Sequence, residues 1–315
     1  MFEYTAVIRT LGTAGEAYQK TLDSVMAQTV KPAAIVVYIA EGYPLPKETV
    51  GIEKYVYVKK GMVAQRALPY DEVETEWILF LDDDVCLPEN AVETLFRELG
   101  ENDGDVISPC TFANHKVSWK TKLILGLTGK EVCRPFGQKW GYKVLRTGGF
   151  SYNNNPTKAV YQSQTNAGPC FLMRKRDFVG INYEDEIWLE GSPYALPDDQ
   201  VMFYKMHLNG LKVLTSFDSG IVHLDAGSTI GGSYDKTVKI IYSEWRNKLI
   251  FWHKFIYRQE KNPLKKVWSC VAIGYAYGFQ MLNSGIRFAL GKRRYAEAFW
   301  RGLKDGINEI KRTRR

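Results

Sequence analysis

The order of elements along the chain predicts an α/β protein, a mostly parallel sheet flanked by helices with a helical extension at its C-terminus. Three observations carry this. Apolar runs of strand length alternate with helical periods from Tyr4 onward. The run Trp77-Ile78-Leu79-Phe80-Leu81 passes directly into three carboxylates, Asp82-Asp83-Asp84. Beyond residue 235 the pattern turns helical and basic.

Tyr4 to Thr10 (YTAVIRT) reads as the first strand and Leu11 to Gly15 as a loop. Tyr18, Leu22, Val25 and Met26 then recur at the helical period, and Lys31-Pro32 ends that helix. Ala34 to Ile39 is a second strand, turned by Glu41-Gly42-Tyr43-Pro44, and Lys54 to Val58 a third. A helical stretch is expected from about Val63. The Trp77–Leu81 run follows, rich in Leu, Ile and aromatics, and reads as a strand covered on both faces. Right-handed crossovers place these strand ends on one edge of the sheet, where such folds open their ligand crevice. Pro88-Glu89 opens a helix to about Leu99, and Asp105 to Ser108 forms another strand.

From about Cys110 to Thr165 the periods weaken in a segment rich in aromatics and glycine, consistent with a binding loop or an ordinary surface excursion. Gly168 to Arg174 is a strand; Leu196-Pro197-Asp198-Asp199-Gln200 opens a helix that Gly210 closes. Lys212 to Leu214 and Ile221 to Leu224 are short strands, and Gly227 to Gly232 a glycine and serine loop. The chain therefore divides into residues 1–235, an α/β body, and residues 236–315, a basic amphipathic helical region.

Charge follows the same division. Residues 1–235 carry 23 Lys and Arg against 30 Asp and Glu, a net of −7; residues 236–315 carry 19 against 5, a net of +14. A basic tail interleaved with Trp, Tyr and Phe points to an anionic membrane surface. No nucleic-acid module is recognisable, so a nucleic-acid partner is not expected. Val267 to Ile286 contains no charged residue, yet Ser269, Gln280, Asn283 and Ser284 fit hydrocarbon poorly. A spanning helix, a helix lying on the bilayer and a plain packing helix all remain open. The five cysteines are scattered and never spaced as CxxC, which argues against a disulfide framework or structural zinc site and fits a cytoplasmic setting. Met1-Phe2-Glu3-Tyr4 has no basic region ahead of an apolar run, so no secretory leader is expected.

Three adjacent aspartates at a buried strand end repel one another. In an extended chain Asp82 and Asp84 share a face, which suits a hard divalent cation that keeps waters and takes substrate phosphates. A solvated acidic turn or a helix cap is the alternative. Asp198-Asp199 sits at a helix start, where the helix dipole favours the charged form; the pair reads as a general base or as caps.

The segments VIRT, LDSVMAQTVKP, VVYIAEG, GMVAQRA, FLDDDV, NAGPCFLMR and PDDQVMFYKMHLNG, with His223 and Trp245-Arg246-Asn247 in order after them, resemble an inverting family 2 glycosyltransferase of the GT-A, Rossmann-like fold. The resemblance covers roughly residues 4 to 255. It implies a nucleotide-diphosphate sugar donor, a glycan or lipid-linked acceptor, and Mg²⁺ or Mn²⁺. It sets Arg9 and Thr10 beside the nucleotide, Arg66 near the donor phosphates or the base, Asp82 or Asp83 on the nucleoside, and Asp84 on the metal. Asp199 becomes the base with Asp198 in support, His223 a metal ligand or a hydrogen-bonded histidine, and Arg246 a contact to the diphosphate. Glu41 stands where many members carry an Asp that reads the nucleobase. Together these imply transfer in cell-surface polysaccharide or glycolipid synthesis, on the cytoplasmic side and peripheral to the inner membrane face. The Asp82-x-Asp84 spacing also resembles the first motif of haloacid-dehalogenase-type phosphatases, with Asp82 as nucleophile. A sugar-nucleotide-binding protein without catalysis is the remaining rival.

Overall fold

The computed structural model describes residues 3–111, 118–134, 139–224 and 233–313. In chain order these residues form β1 (Tyr4–Thr10), α1 (Glu16–Met26), β2 (Ala34–Ala40), β3 (Glu53–Val58), β4 (Trp77–Asp82), β5 (Val85–Cys86), α2 (Ala91–Glu101) and β6 (Val106–Pro109). Then come α3 (Trp119–Leu127), β7 (Glu131–Arg134), β8 (Tyr142–Val144), β9 (Phe150–Asn153), β10 (Val160–Ser163), β11 (Cys170–Arg174) and α4 (Lys175–Gly180). A 3₁₀ segment, Tyr183–Gly191, leads to α5 (Asp198–Leu208), β12 (Val213–Ser216) and β13 (Val222–His223). Helices α6 (Tyr234–Phe251), α7 (Pro263–Ala289) and α8 (Arg293–Arg312) complete the chain, with a π-helical turn at Trp252–Tyr257 between the first two.

The main sheet has eight strands in the order β10-β12-β6-β11-β4-β1-β2-β3. Strands β3, β2, β1 and β4 run parallel, as does the β6–β12 pair; β11 and β10 are antiparallel to their neighbours. The expected mostly parallel sheet flanked by helices is thus present. Trp77 to Leu81 are all buried, as a strand covered on both faces requires. Their side chains alternate between two cores. Ile78 and Phe80 join Val7, Val36 and Phe171 on one face, under α5, α6 and α8 residues that include Phe203, Trp245 and Phe299. Leu79 and Leu81 join Ala6, Ile8 and Ile35 on the other, under Leu22 and Val25 of α1 and Leu95 of α2. Phe80 stacks on Phe171 across the β4–β11 pair at 4.4 Å between ring centroids, which pins the antiparallel strand to the central one.

Some expectations differ in detail. No regular helix forms after Val63: residues 61–67 are successive turns, because Glu190 accepts the Val63 and Ala64 N–H groups and Arg66 turns into the interior. Helix α2 begins at Ala91 rather than Pro88. Within the irregular stretch, α3 and a three-stranded sheet in the order β7-β9-β8 are formed. The Gly227–Gly232 loop lies outside the described residues. No helix among the described residues is long and apolar enough to cross a membrane.

Helix α6 buries an amine. Lys248 is 3% exposed, lies over the Trp245 ring and donates to Gly129 O at 3.4 Å. Burial pushes its pKa down from the usual range to about 7; Glu244 opposes the shift and Lys130 adds to it. Between pH 7 and the ordinary lysine range near 10.5, the unfolded chain holds a proton that the folded one has released. This group's contribution therefore makes stability rise with pH across that window, and below it the full cost of burying the charge is present. Lys248→Met is expected to raise the melting temperature at pH 6 and to flatten its rise toward pH 9, as read from thermal melts of both proteins across that range.

Candidate active site

The carboxyl ends of β1 and β4 lie side by side, with Arg9 opposite Asp82 in the register. The Arg9 guanidinium pairs with Asp82, and the Thr10 hydroxyl donates to Asp83. Asp84 sits past the strand end beside the short β5–β13 ladder, whose register places His223 opposite Val85. His223 Nε2 lies 3.0 Å from Asp84 Oδ1. Each of the three aspartates thus has its own partner, which offsets their mutual repulsion. Burial favours the neutral form of Asp82, but Arg9 and Arg66 outweigh it and hold its pKa below the ordinary carboxylate value. Asp83 has no cation of its own among the described residues, and burial drives its pKa up to about 6. Burial also disfavours charge on His223, and Asp84 more than compensates, so its pKa is raised.

These residues line a cavity of about 630 Å³. Arg9, Thr10, Asp82, Asp83, Asp84 and His223, all expected from the sequence, are in its wall. So are Lys60, Gln65, Glu190 and Ser192, which sequence reasoning did not single out. Glu190 closes the cavity from the 3₁₀ segment and fixes the turns after Gly61. A Cβ on Gly61 would stand 2.2 Å from the Glu190 carboxylate, so the close approach needs glycine there. Lys60-Gly61 just past a strand end was the available cue; Glu190 had none, because its role depends on a contact between distant segments.

A second cluster lies beside the first. Arg66 is 2% exposed, and its Nη1 lies 2.6 Å from both Asp198 Oδ2 and Asp199 Oδ1. Burial and the neighbouring Asp199 raise the pKa of Asp198, against the pull of Arg66. The antiparallel entry of β11 brings this pair to the tip of β4: Pro169 O accepts the Asp82 N–H, and Asp199 Oδ1 packs against Gly168, where a Cβ would stand 2.2 Å away. Asp82 feels the charge of Arg66, and His223 that of Asp199, so the two clusters form one electrostatic unit. Neither Arg66 nor the Asp198–Asp199 pair is in the cavity wall itself.

Arg246 and Glu41 are placed differently. Arg246 is buried behind the wall, donating to Trp188 O at 3.0 Å and Asn247 Oδ1 at 2.7 Å, and so backs the segment that carries Glu190. Glu41 is exposed in the turn after β2, away from the cavity wall.

A divalent cation needs hard donors that converge on one point. Asp84 and His223 Nε2 supply an oxygen and a nitrogen at one open point. The other ring nitrogen, His223 Nδ1, is buried with no hydrogen-bond partner among the described residues. No group of three or more such ligands converges among the described residues. The protein therefore offers two donors, a number that fits Mg²⁺ or Mn²⁺ completing its shell with water and phosphate oxygens.

A family model described as a glycosyl transferase family 64 domain matches residues 4–106. That third of the chain runs from β1 through β4 to the start of β6 and carries Arg9, Thr10 and the three aspartates. The match supports a glycosyltransferase domain. Among curated proteins none matches the chain. The solved structure of S. aureus TarS is similar over 82% of this chain and 43% of its own, with 14% identity and a TM-score of 0.41. A structure of GalNAc-T7 with UDP, GalNAc and Mn²⁺ is similar over 80% of this chain and 47% of its own, with 14% identity and a TM-score of 0.49. The chain spans less than half the length of either.

The buried triad gives a direct test. Arg66→Met leaves two carboxylates without their cation, and the expected loss of unfolding free energy is about 3–5 kcal/mol. Adding Asp198→Asn to that variant is expected to recover part of it. Urea denaturation of the two single variants and the double variant measures the coupling.

Proposed function

We propose that the chain is a metal-dependent inverting glycosyltransferase that moves a sugar from a nucleotide-diphosphate donor to an acceptor hydroxyl. The observation that carries this reading is the junction at the β4 tip. Three aspartates and a histidine brought from β13 meet in the wall of a cavity of about 630 Å³ at one edge of a mostly parallel sheet, and a second acidic pair lies beside them, outside that wall. The family-model match over the same strands supports it.

Arg9 and Thr10 orient Asp82 and Asp83 toward the nucleoside. Asp84 and His223 would hold Mg²⁺ or Mn²⁺, which supplies neutralisation of the departing diphosphate. Lys60 lines the same cavity and adds positive charge toward phosphate oxygens. Asp199 is the base, with 34% of its side chain exposed against 10% for Asp198. It takes the acceptor hydroxyl proton as that oxygen bonds to the anomeric carbon, and the electron pair of the breaking C–O bond leaves with the diphosphate. Arg66 fixes Asp199 in position, Asp198 shares that cation, and Arg246 acts from behind the Trp188–Gly191 wall. Glu41 would have to reach the nucleobase from the β2 turn. The acceptor is a glycan or a lipid-linked sugar, and the scattered cysteines, never spaced as CxxC, support a cytoplasmic setting. The salt link from Arg9 to Asp82 argues against the phosphatase alternative, since it occupies the carboxylate that would have to attack phosphorus.

With a screened donor, Asp84→Ala is expected to lose transfer and metal-dependent donor hydrolysis at least a hundredfold. Asp199→Asn is expected to lose transfer by a similar factor while retaining donor affinity. Initial-rate assays together with donor binding by calorimetry check both. Near-normal turnover in Asp199→Asn would remove it from the chemistry.

A further inference from the structure

Helix α7 presents its faces in the reverse of the usual order for a helix on a water-soluble body. Its inward face carries Ser269, Ile273, Ala276, Tyr277, Gln280 and Ser284, all buried. Two of the polar groups there find partners inside: Arg146 donates to Ser269 Oγ at 2.7 Å, and Tyr277 donates to Trp245 O at 2.6 Å, while Ser284 Oγ has no partner among the described residues. Its outward face is apolar, with Val267 63%, Trp268 60%, Val271 53%, Leu282 63% and Ile286 52% exposed. Of the residues that made this segment unfit as a span, Ser269, Gln280 and Ser284 face the protein and Asn283 is half-buried, and the surface left toward solvent is hydrocarbon over most of the helix. An exposed apolar stripe of this extent marks an interaction surface.

A second helix adds to it. No residue of α3 is buried, and Trp119, Leu123 and Ile124 are 70%, 53% and 53% exposed. The turn after β8 joins the two helices: Thr147 donates to Gly129 O just past α3, and Arg146 donates to Lys265 O in the first turn of α7. Neither helix contains an acidic residue. Lys120 and Lys122 lie in α3, Lys265 and Lys266 open α7, and Lys292 and Arg293 follow it.

We infer that α3 and α7 lie flat on an anionic phospholipid bilayer, with the apolar stripe in the acyl boundary and the basic residues at the headgroups. Charge decides the occupant. A second copy seated on α7 would bring together two regions of net +14, whereas an anionic leaflet complements them. Neither helix is long and apolar enough to cross, so each rests parallel to the surface. The inference stands apart from the catalytic reading, because none of these residues touches the cavity.

The test is flotation of the full chain with vesicles of pure phosphatidylcholine and with vesicles containing about one quarter phosphatidylglycerol. The wild-type protein is expected to float with the anionic vesicles at least fivefold more than with the neutral ones, and to be released by high salt. Val271→Glu and Leu282→Glu, each at an exposed position, are expected to lower the floating fraction at least fivefold with an unchanged circular dichroism spectrum. Should Val271→Glu disturb folding, Lys292→Glu, fully outside the core, is expected to lower it at least twofold. Wild-type protein that stays at the bottom with anionic vesicles would overturn the inference. So would variants that float like wild type, or a wild-type dimer in gel filtration that Leu282→Glu converts to a monomer, which would show a second copy covering this face.

Discussion

Five carboxylates, Asp82, Asp83, Asp84, Asp198 and Asp199, are drawn together at one edge of the sheet, and their mutual repulsion is the constraint around which the site is built. The fold answers it with a few basic side chains carried by β1, by β13 and by the turns after Gly61. Arg9 arrives because β1 pairs with β4 in a register that sets it opposite Asp82. Arg66 arrives because Glu190 ties down the turns that precede it. His223 arrives on β13, whose ladder with β5 follows the aspartates directly. Among the described residues no cation pairs with Asp83, and burial raises its pKa to about 6. The arrangement is stable only while each partner stays in place, which couples the packing of the sheet to the charge state of its edge.

That coupling explains the depth of the supporting structure. Phe80 and Phe171 hold β11 against β4, so that Gly168 and Pro169 pass beside Asp82 and admit Asp199. Arg246 and Asn247 of α6 brace the segments on either side of Ser192: Arg246 bonds Trp188 O, and Asn247 bonds Ser192 Oγ and Leu196 O. The C-terminal helices therefore support the cavity wall from behind on their inner side. Their outer side, apolar on α7 and basic at its ends, faces away from that task.

Much of this was legible in the residues, and the reasons are local. β1, β2 and β4 announce themselves because a strand buried on both faces must be an unbroken apolar run, and the triple aspartate marks the edge where that run ends. The opening of α5 at Pro197-Asp198 and its closure at Gly210 follow from backbone chemistry that does not depend on context. What was hidden depends on distant contacts. The stretch after Val63 has a helical composition, yet its N–H groups go to Glu190 instead. Arg66 reads as a phosphate contact until the fold shows it enclosed with Asp198 and Asp199. Ser269, Gln280 and Ser284 look like defects in an apolar helix until their common inward face is seen.

On the proposed reading, the β4 tip takes a divalent cation together with a diphosphate. Electron paramagnetic resonance of Mn²⁺ measures this most directly, by following free Mn²⁺ as UDP or GDP is added to wild-type protein and to Asp84→Asn. Wild-type protein with one of these diphosphates is expected to remove Mn²⁺ from solution with at least tenfold higher affinity than the diphosphate alone, and Asp84→Asn to abolish the gain. Equal Mn²⁺ uptake by the two proteins would contradict it.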